Sequence, residues 1–194
     1  NHRFPDDYAH LNSIQVAPDG NLIASLRGCS LVLKINRVSG TGATIWDIGG
    51  FDPSLQIVGD SFEEFCGQHT ASEDEDGNLY IFDNGGHCNG TREETSGLFS
   101  RALQYSLDLG VGQASFIRDY SLNQTYSEFT SSGGSFFPTK NGNWLISCAS
   151  GVNDITEISP DSSVVLQFSV NNRQGKIAVY RAYRTYDIDL PINI

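Results

Sequence analysis

The sequence predicts an all-β fold made of consecutive four-stranded antiparallel sheets. Three observations predict it: one hairpin signature occurs three times, short segments alternate apolar and polar residues, and no longer segment shows a helical period. Each signature joins an extended stretch, a turn centred on Asp/Asn-Gly-Asn and a second apolar stretch, in residues 10–26, 69–83 and 135–147. The three turn glycines are 57 and 65 residues apart, so we infer that one supersecondary unit recurs.

The strands group into three meanders that are separated by turns rich in Gly, Pro, Asp and Ser. The first meander is predicted at 12–17, 21–26, 30–36 and 43–48. The second is predicted at 69–73, 78–83, 100–107 and 113–119. The third is predicted at 134–138, 143–148, 153–158 and 163–168. Three aromatic side chains are expected to pack between neighbouring sheets: Trp46, Phe82 and Trp144.

Four-stranded units in tandem are typical of a β-propeller, in which the first strand of each blade lines a central channel. We predict a single domain over residues 1–194, with blades at about 10–48, 69–119 and 134–168 and a closing strand at 176–186. This gives three to four blades, and four is the smallest usual number in a closed ring. We therefore expect part of a larger propeller; the alternative is that its edges are sealed in another way.

Charge and hydropathy exclude two classes of partner. The formal net charge is −11, whereas nucleic acids and anionic membranes select a basic surface, so neither partner is expected. No apolar run approaches the roughly 18 residues that a membrane helix needs. The chain begins at Asn1 with neither a Met nor a signal peptide, so we expect a mature product or an excised piece.

The cysteines and two glycosylation sequons favour an exported protein. Four cysteines occur with no methionine, and Asn-x-Thr begins at Asn89 and Asn123, which fits a secreted protein of the extracellular space or periplasm. Cys66 and Cys88 flank the second hairpin and return to one rim, so they form the preferred disulfide, with Cys29 as the next candidate partner. A zinc site is the alternative, but no Cys-x-x-Cys spacing supports it.

Polar residues stand at the starts of the three signatures. These are His10, His69 and Ser135, which meet at one point if the units pack around an axis. The alternative is that each is a structural residue, as most histidines at strand starts are. Two long connectors, 49–68 and 84–99, are further places where function is expected.

Six motifs in series carry a family resemblance. They occur in order from about Asp7 to Arg184: DYAHLNSIQVAPDGNLIASLRG, WDIGG, FCGQH, GNLYIFDNG, SRALQY and YRAYR. In this series the chain resembles the arylsulfotransferase family of β-propellers. The resemblance implies an exported six-bladed propeller that moves a sulfuryl group from an aryl sulfate to a phenol. It also implies that no nucleotide sulfate donor and no cofactor are needed.

The resemblance also assigns roles to residues of this sequence. It implies that His69 accepts the sulfuryl group covalently as the nucleophile, and that His10, Asn12 and Arg27 surround the sulfuryl oxygens. Ser135 falls where the family places a small hydroxyl residue that binds substrate. A neutral imidazole suits this task because it attacks an anionic sulfate ester without the repulsion that a carboxylate meets.

Several features qualify that assignment. Asp83 and Asn84 are expected to hold the loop or to orient a channel residue by hydrogen bonds. His87 matches no motif of the family, and no segment matches the upstream histidine that handles the phenol proton there. The alternative function is a non-catalytic binding or scaffold propeller derived from this family, because one fold serves many functions.

Overall fold

The computed structural model describes residues 8–86, 99–122, 129–149, 154–169, 171–172, 175–176 and 179–184. Regular structure in these ranges is β, apart from one turn of 3-10 helix at Arg27–Cys29. In the same ranges, no helix has the length and apolar character needed to cross a membrane. The predicted all-β class is confirmed.

Three sheets follow one another along the chain. The first is a meander of β1 (Leu11–Val16), β2 (Leu22–Leu26), β3 (Leu31–Ile35) and β4 (Thr44–Gly49). The second contains β5 (Gln56–Val58), β6 (His69–Glu73), β7 (Asn78–Asp83), β8 (Arg101–Asp108) and β9 (Gln113–Ser121). The third is a meander of β10 (Ser135–Pro138), β11 (Trp144–Ser147), β12 (Asp154–Ile158) and β13 (Val164–Ser169). A separate pair follows, β14 (Asn171–Asn172) with β15 (Gly175–Lys176).

Each strand of the three predicted meanders has an observed counterpart with ends within two residues of the prediction. The second sheet has the order β5-β9-β8-β7-β6, so it gains a fifth strand from the connector 49–68. β5 runs parallel to β9, with Gln56 opposite Gln113, and three residues are too few to show a period. Of the predicted closing strand 176–186, the described residues 179–184 belong to no strand.

β7 is buried on both faces, so its side chains enter two cores in alternation. One core joins the first and second sheets and includes Ile23, Val32, Trp46, Leu79, Ile81 and Leu103. The other joins the second and third sheets and includes Tyr80, Phe82, Ala102, Phe136, Trp144 and Ile146. The predicted packing of the three aromatic residues between sheets is confirmed, and the sheets stack as consecutive blades of a β-propeller.

The first strands of the three blades lie side by side, with β6 between β1 and β10. On one side, the N–H of Ala71 donates to Ser13 Oγ at 3.3 Å. On the other side, Thr70 Oγ1 donates to the carbonyl oxygen of Gly134 at 3.1 Å. These bonds bring residues from distant segments to one end of the blade stack, where the predicted site lies.

Apolar side chains remain exposed on the two end blades. Leu11, Ile14 and Val16 of β1 are 55%, 53% and 59% exposed, and Val165 and Phe168 of β13 are 57% and 46% exposed. The middle blade is covered on both faces, whereas each end blade is covered on one face in the described ranges. Burial of apolar surface therefore stabilises the middle blade more than either end blade in the described ranges.

A buried ion network fixes the connector that precedes β6. Arg101 is fully buried, and its guanidinium binds both carboxylate oxygens of Asp60 at 2.9 Å and Asp83 Oδ2 at 3.0 Å. It also donates to the carbonyl oxygen of Glu64 at 2.8 Å, and Tyr105 Oη donates to Asp60 at 2.7 Å. Burial raises the pKa of Asp60, but the hydrogen bonds and charge of Arg101 outweigh it and hold that pKa below its ordinary value.

The cysteines are placed in different surroundings. Cys29 and Cys148 take part in no disulfide, and Cys29 Sγ donates to the carbonyl oxygen of Tyr8 at 3.3 Å. Cys29 is therefore not the partner of Cys66. Cys88 lies outside the described residues, so the Cys66–Cys88 pairing stays a prediction.

We expect the carboxylates of this network to contribute unequally to the free energy of unfolding. Asp60→Asn leaves a buried guanidinium without its bidentate partner, so we expect the free energy of unfolding to fall by about 3–5 kcal/mol. Asp119→Asn is the matched control, because Asp119 meets the same arginine at 3.5 Å with its side chain 32% exposed. Its loss should cost less than about 1 kcal/mol. Urea unfolding at neutral pH measures both, and equal costs would contradict the role assigned to Asp60.

Candidate functional site

His69 is the first residue of β6, and it is 2% exposed. Its Nδ1 lies 2.8 Å from Asn84 Oδ1, and its Nε2 accepts the N–H of Gly133 at 3.0 Å. Asn84 Nδ2 donates to the carbonyl oxygens of Thr130 at 2.6 Å and Gly133 at 3.0 Å, so Oδ1 is free to accept. Nδ1 therefore carries the ring proton, and Nε2 presents its lone pair to Gly133.

The residues after β7 hold Asn84 in place. Asp83 Oδ1 accepts the N–H groups of Cys66 at 3.0 Å and Gly85 at 2.9 Å, while its other oxygen binds the buried arginine described above. Ser100 Oγ donates to the carbonyl oxygen of Asn84 at 2.8 Å. Asp83 thus fixes the turn, and Asn84 fixes the ring orientation and tautomer of His69.

Burial is the largest influence on the charge of His69, and it lowers the pKa of the imidazole to about 4. The hydrogen bond to Asn84 raises that pKa in part, whereas the positive charges of Arg27 and His10 lower it further. His69 is therefore a neutral imidazole at neutral pH.

Three predicted site residues come from the first blade. Asn12 Nδ2 donates to the carbonyl oxygen of Gln68, the residue before His69, at 2.6 Å. The carbonyl oxygen of His10 accepts the N–H of Arg27 at 3.0 Å, and Arg27 Nη2 donates to the carbonyl oxygen of Ser131 at 3.2 Å. The first blade thus contacts both the strand that carries His69 and the loop that covers it.

The register of the hairpins differs from the prediction at His10. His69 pairs with Phe82, and Ser135 pairs with Ser147, each the fifth residue after a turn glycine. In the first blade the fifth residue after the turn is Ser25, and its partner is Ser13. His10 precedes β1 and therefore does not occupy the place equivalent to His69, because the two hairpins differ in length and each contains a bulge.

Left-handed backbone recurs at this end of the blades. His10 has φ 46° and Thr70 has φ 48°, values that L-residues adopt rarely, and Gly134 has φ 92° just before β10. His10 is itself a predicted site residue, and the other two positions adjoin predicted site residues, since Thr70 follows His69 and Gly134 precedes Ser135. The turns aim the first strands toward the shared region at the cost of local strain.

Ser135 is fully buried, and its hydroxyl has partners of its own. Its Oγ lies 2.9 Å from Ser147 Oγ and accepts the N–H of Ala182 at 3.0 Å. The ring of Tyr180 packs edge-on against His69 with 5.9 Å between ring centroids. Sequence reasoning assigned no site role to Tyr180 or Ala182, although the YRAYR motif that contains them was one of the six family motifs.

The arrangement suits attack on an anionic electrophile. It combines a neutral imidazole of fixed tautomer with the guanidinium of Arg27 nearby, which stabilises negative charge. Over the described ranges, no group of three or more His, Cys, Asp or Glu is placed to hold a metal ion.

Comparisons with known proteins show what the chain is similar to. The family model described as Arylsulfotransferase (ASST) matches residues 2–181. No curated protein matches the sequence significantly. A protein of unknown function from Bacteroides caccae is similar in structure, with 16% identity and a TM-score of 0.52 over 88% of this chain and 53% of that one.

A second solved structure is less similar: a catalytically inactive variant of virginiamycin B lyase from Staphylococcus aureus with quinupristin. Its identity is 13% and its TM-score 0.47, over 88% of this chain and 44% of that one. The chain thus spans about half the length of these two structures.

The loop over His69 depends on a glycine that has no room for a side chain. A Cβ at Gly134 would lie 2.4 Å from Phe82, and the residue has φ 92°. We expect Gly134→Ala to cost about 3 kcal/mol, from clash and positive φ together. Gly77→Ala is the control, since φ is 81° there and nothing lies within 4 Å of the added atom. It should cost about 1 kcal/mol in the same urea titration; similar costs would exclude the clash.

The neutral imidazole predicts a pH dependence of stability. Because the folded-state pKa of His69 is about 4 and its ordinary value is 6.5, the unfolded chain binds the proton more readily. The free energy of unfolding therefore has its full value above pH 6.5. It falls by about 3 kcal/mol as the pH falls from 6.5 toward 4. His69→Gln should remove this part of the slope when unfolding free energies are compared at several pH values. An unchanged slope would show that His69 titrates normally.

Proposed function

The chain belongs to the arylsulfotransferase family, and on that premise we propose that its His69 carries a sulfuryl group from an aryl sulfate to a phenol. The observation that best supports this proposal is the state of His69. It is a neutral imidazole whose Nδ1 proton is fixed by Asn84 and whose charge environment includes Arg27.

In the first step, the Nε2 lone pair attacks the sulfur of the aryl sulfate. An N–S bond forms, the S–O bond to the aryl group breaks, and its electron pair leaves on the phenolate oxygen. The ring becomes cationic in this step, and Asn84 Oδ1 stabilises it by accepting the Nδ1 hydrogen bond. The N–H of Gly133 must leave Nε2 before the N–S bond forms.

In the second step, the oxygen of a phenol attacks the sulfur and the N–S bond breaks. The electron pair of that bond returns to Nε2, and the phenol proton passes to solvent water. Sulfuryl transfer resembles phosphoryl transfer, in which charge spreads over the three equatorial oxygens. Arg27, His10 and Asn12 are the groups of this chain that we assign to those oxygens, and Ser135 is assigned to substrate binding. No nucleotide and no metal takes part.

The sequence holds no match for the family's upstream histidine, which handles the phenol proton. We therefore propose that these 194 residues supply the sulfuryl-accepting part of the site. We also propose export to the extracellular space or periplasm, which the cysteines and sequons support.

A second function is a binding or scaffold propeller that retains the fold without the reaction. One observation favours it: Nε2 is already engaged by Gly133, and His69 is 2% exposed. The two functions differ in one observable, since only the transferase forms a covalent adduct on His69.

The test is covalent labelling with 4-nitrophenyl sulfate, read by intact mass and peptide mapping. We expect one sulfuryl group on His69 and none in His69→Asn. His87→Asn is the matched control, because that histidine belongs to no family motif, and it should label normally. Arg27→Ala should slow labelling about a hundred-fold, as loss of one preorganised donor does elsewhere. Undiminished labelling in His69→Asn, or no labelling of the intact protein, would reject the proposal.

A further inference from the structure

The segment Val179–Arg184, which we call the strap, contacts a residue of the first strand in each of the three blades. It reaches the first blade at Asn12, the second at His69 and the third at Gly134 and Ser135. The strap therefore lies where it can couple the blades to the site.

The strap holds the loop that caps His69. The carbonyl oxygen of Tyr180 accepts the N–H of Gly134 at 2.9 Å, and the N–H of Ala182 donates to Ser135 Oγ at 3.0 Å. Gly134 adjoins Gly133, whose N–H occupies Nε2 of His69. Displacement of the strap therefore removes the support on one side of that N–H.

The ring of Tyr180 covers a second side of the His69 imidazole. It packs edge-on against His69 at 82° between the ring planes. It also lies so close to Gly133 that a Cβ there would meet it at 3.0 Å. Gly133, His69 and Tyr180 thus form one packed unit, and a reagent reaches Nε2 only when that unit opens.

Arg181 fastens the strap to the first blade. Its Nη2 donates to the carbonyl oxygen of Asn12 at 2.9 Å, and its Nη1 donates to Tyr183 Oη at 3.0 Å. Its guanidinium also lies over the ring of Tyr180, with 5.5 Å from Cζ to the ring centroid. The bond to Asn12 comes from a cationic donor, which makes it stronger than a bond between neutral groups.

We propose that Arg181 is a positioning residue. By fastening the strap to Asn12, it keeps Tyr180 on His69 and Gly133 on Nε2, and so sets how often the imidazole opens to an incoming electrophile. The catalytic meaning of this arrangement rests on the proposed sulfuryl transfer at His69. The control of access to Nε2 does not, so it can be tested with a reagent unrelated to sulfate esters.

The test uses diethyl pyrocarbonate, which acylates neutral imidazole nitrogens, with site rates read by peptide mass spectrometry at pH 7. We expect Arg181→Ala to raise the rate at His69 about ten-fold, because loss of one charged hydrogen bond favours local opening. Arg181→Lys keeps a cationic donor and should restore a rate near that of the wild type. Arg37→Ala is the matched control, an exposed arginine on the β3–β4 turn whose loss should leave the rate unchanged.

The free energy of unfolding in urea provides the reference for each variant. A rise at His69 with an unchanged free energy of unfolding supports the proposal, whereas a rise that the loss of global stability accounts for reports general loosening and overturns it. An unchanged His69 rate in Arg181→Ala overturns it as well. Faster acylation of His69 in Arg181→Ala, with no labelling by 4-nitrophenyl sulfate in any sample, would reject sulfuryl transfer and retain the positioning role.

A measurement on the wild-type chain covers the case in which Arg181→Ala does not fold. Amide hydrogen exchange of Gly133, Gly134 and Ala182 should follow one common opening rate, because the strap and the loop open together. Exchange of Gly133 much faster than that of Ala182 would show that the loop opens without the strap, and would overturn the proposal.

Discussion

The buried guanidinium of Arg101 is the constraint on which the middle blade depends. It binds two carboxylates, Asp60 from the connector and Asp83 from the end of β7, inside a region closed to solvent. Such a charge is stable in the interior only while its partners stay in place. The connector, the end of β7 and the turn at Asn84 are therefore held as one unit, and the orientation of His69 follows from that unit.

Burial has two opposing effects on His69. Burial and nearby positive charge keep the imidazole neutral, which preserves the lone pair that a nucleophile needs. The same burial places the lone pair against the N–H of Gly133. In the described structure the loop and the ring of Tyr180 both lie against this imidazole, so it is covered from two sides. Loops held by a few backbone bonds open at low free energy.

Much of the fold could be predicted because turns and strands depend on residues that are close together in the sequence. Turn glycines with positive φ, such as Gly77 and Gly142, mark hairpins whatever the rest of the chain does. β5 escaped prediction since its three residues pair with a strand more than fifty positions away. Ser13 and not His10 occupies the hairpin position that His69 holds in the second blade. The sequence carries a signal for this, because His10 precedes its turn glycine by ten residues whereas His69 precedes its own by eight.

The sequence by itself determined the all-β class, the meanders, the family and the set of polar residues near the site. Tertiary structure decided the contacts of the site: Asn84 on Nδ1, Gly133 on Nε2, and the strap on all three blades. The physical reason is range. Turn and strand preferences act between neighbours in sequence, whereas the contacts of His69 join segments 15 and 64 residues apart, and the bond of Arg181 to Asn12 spans 169.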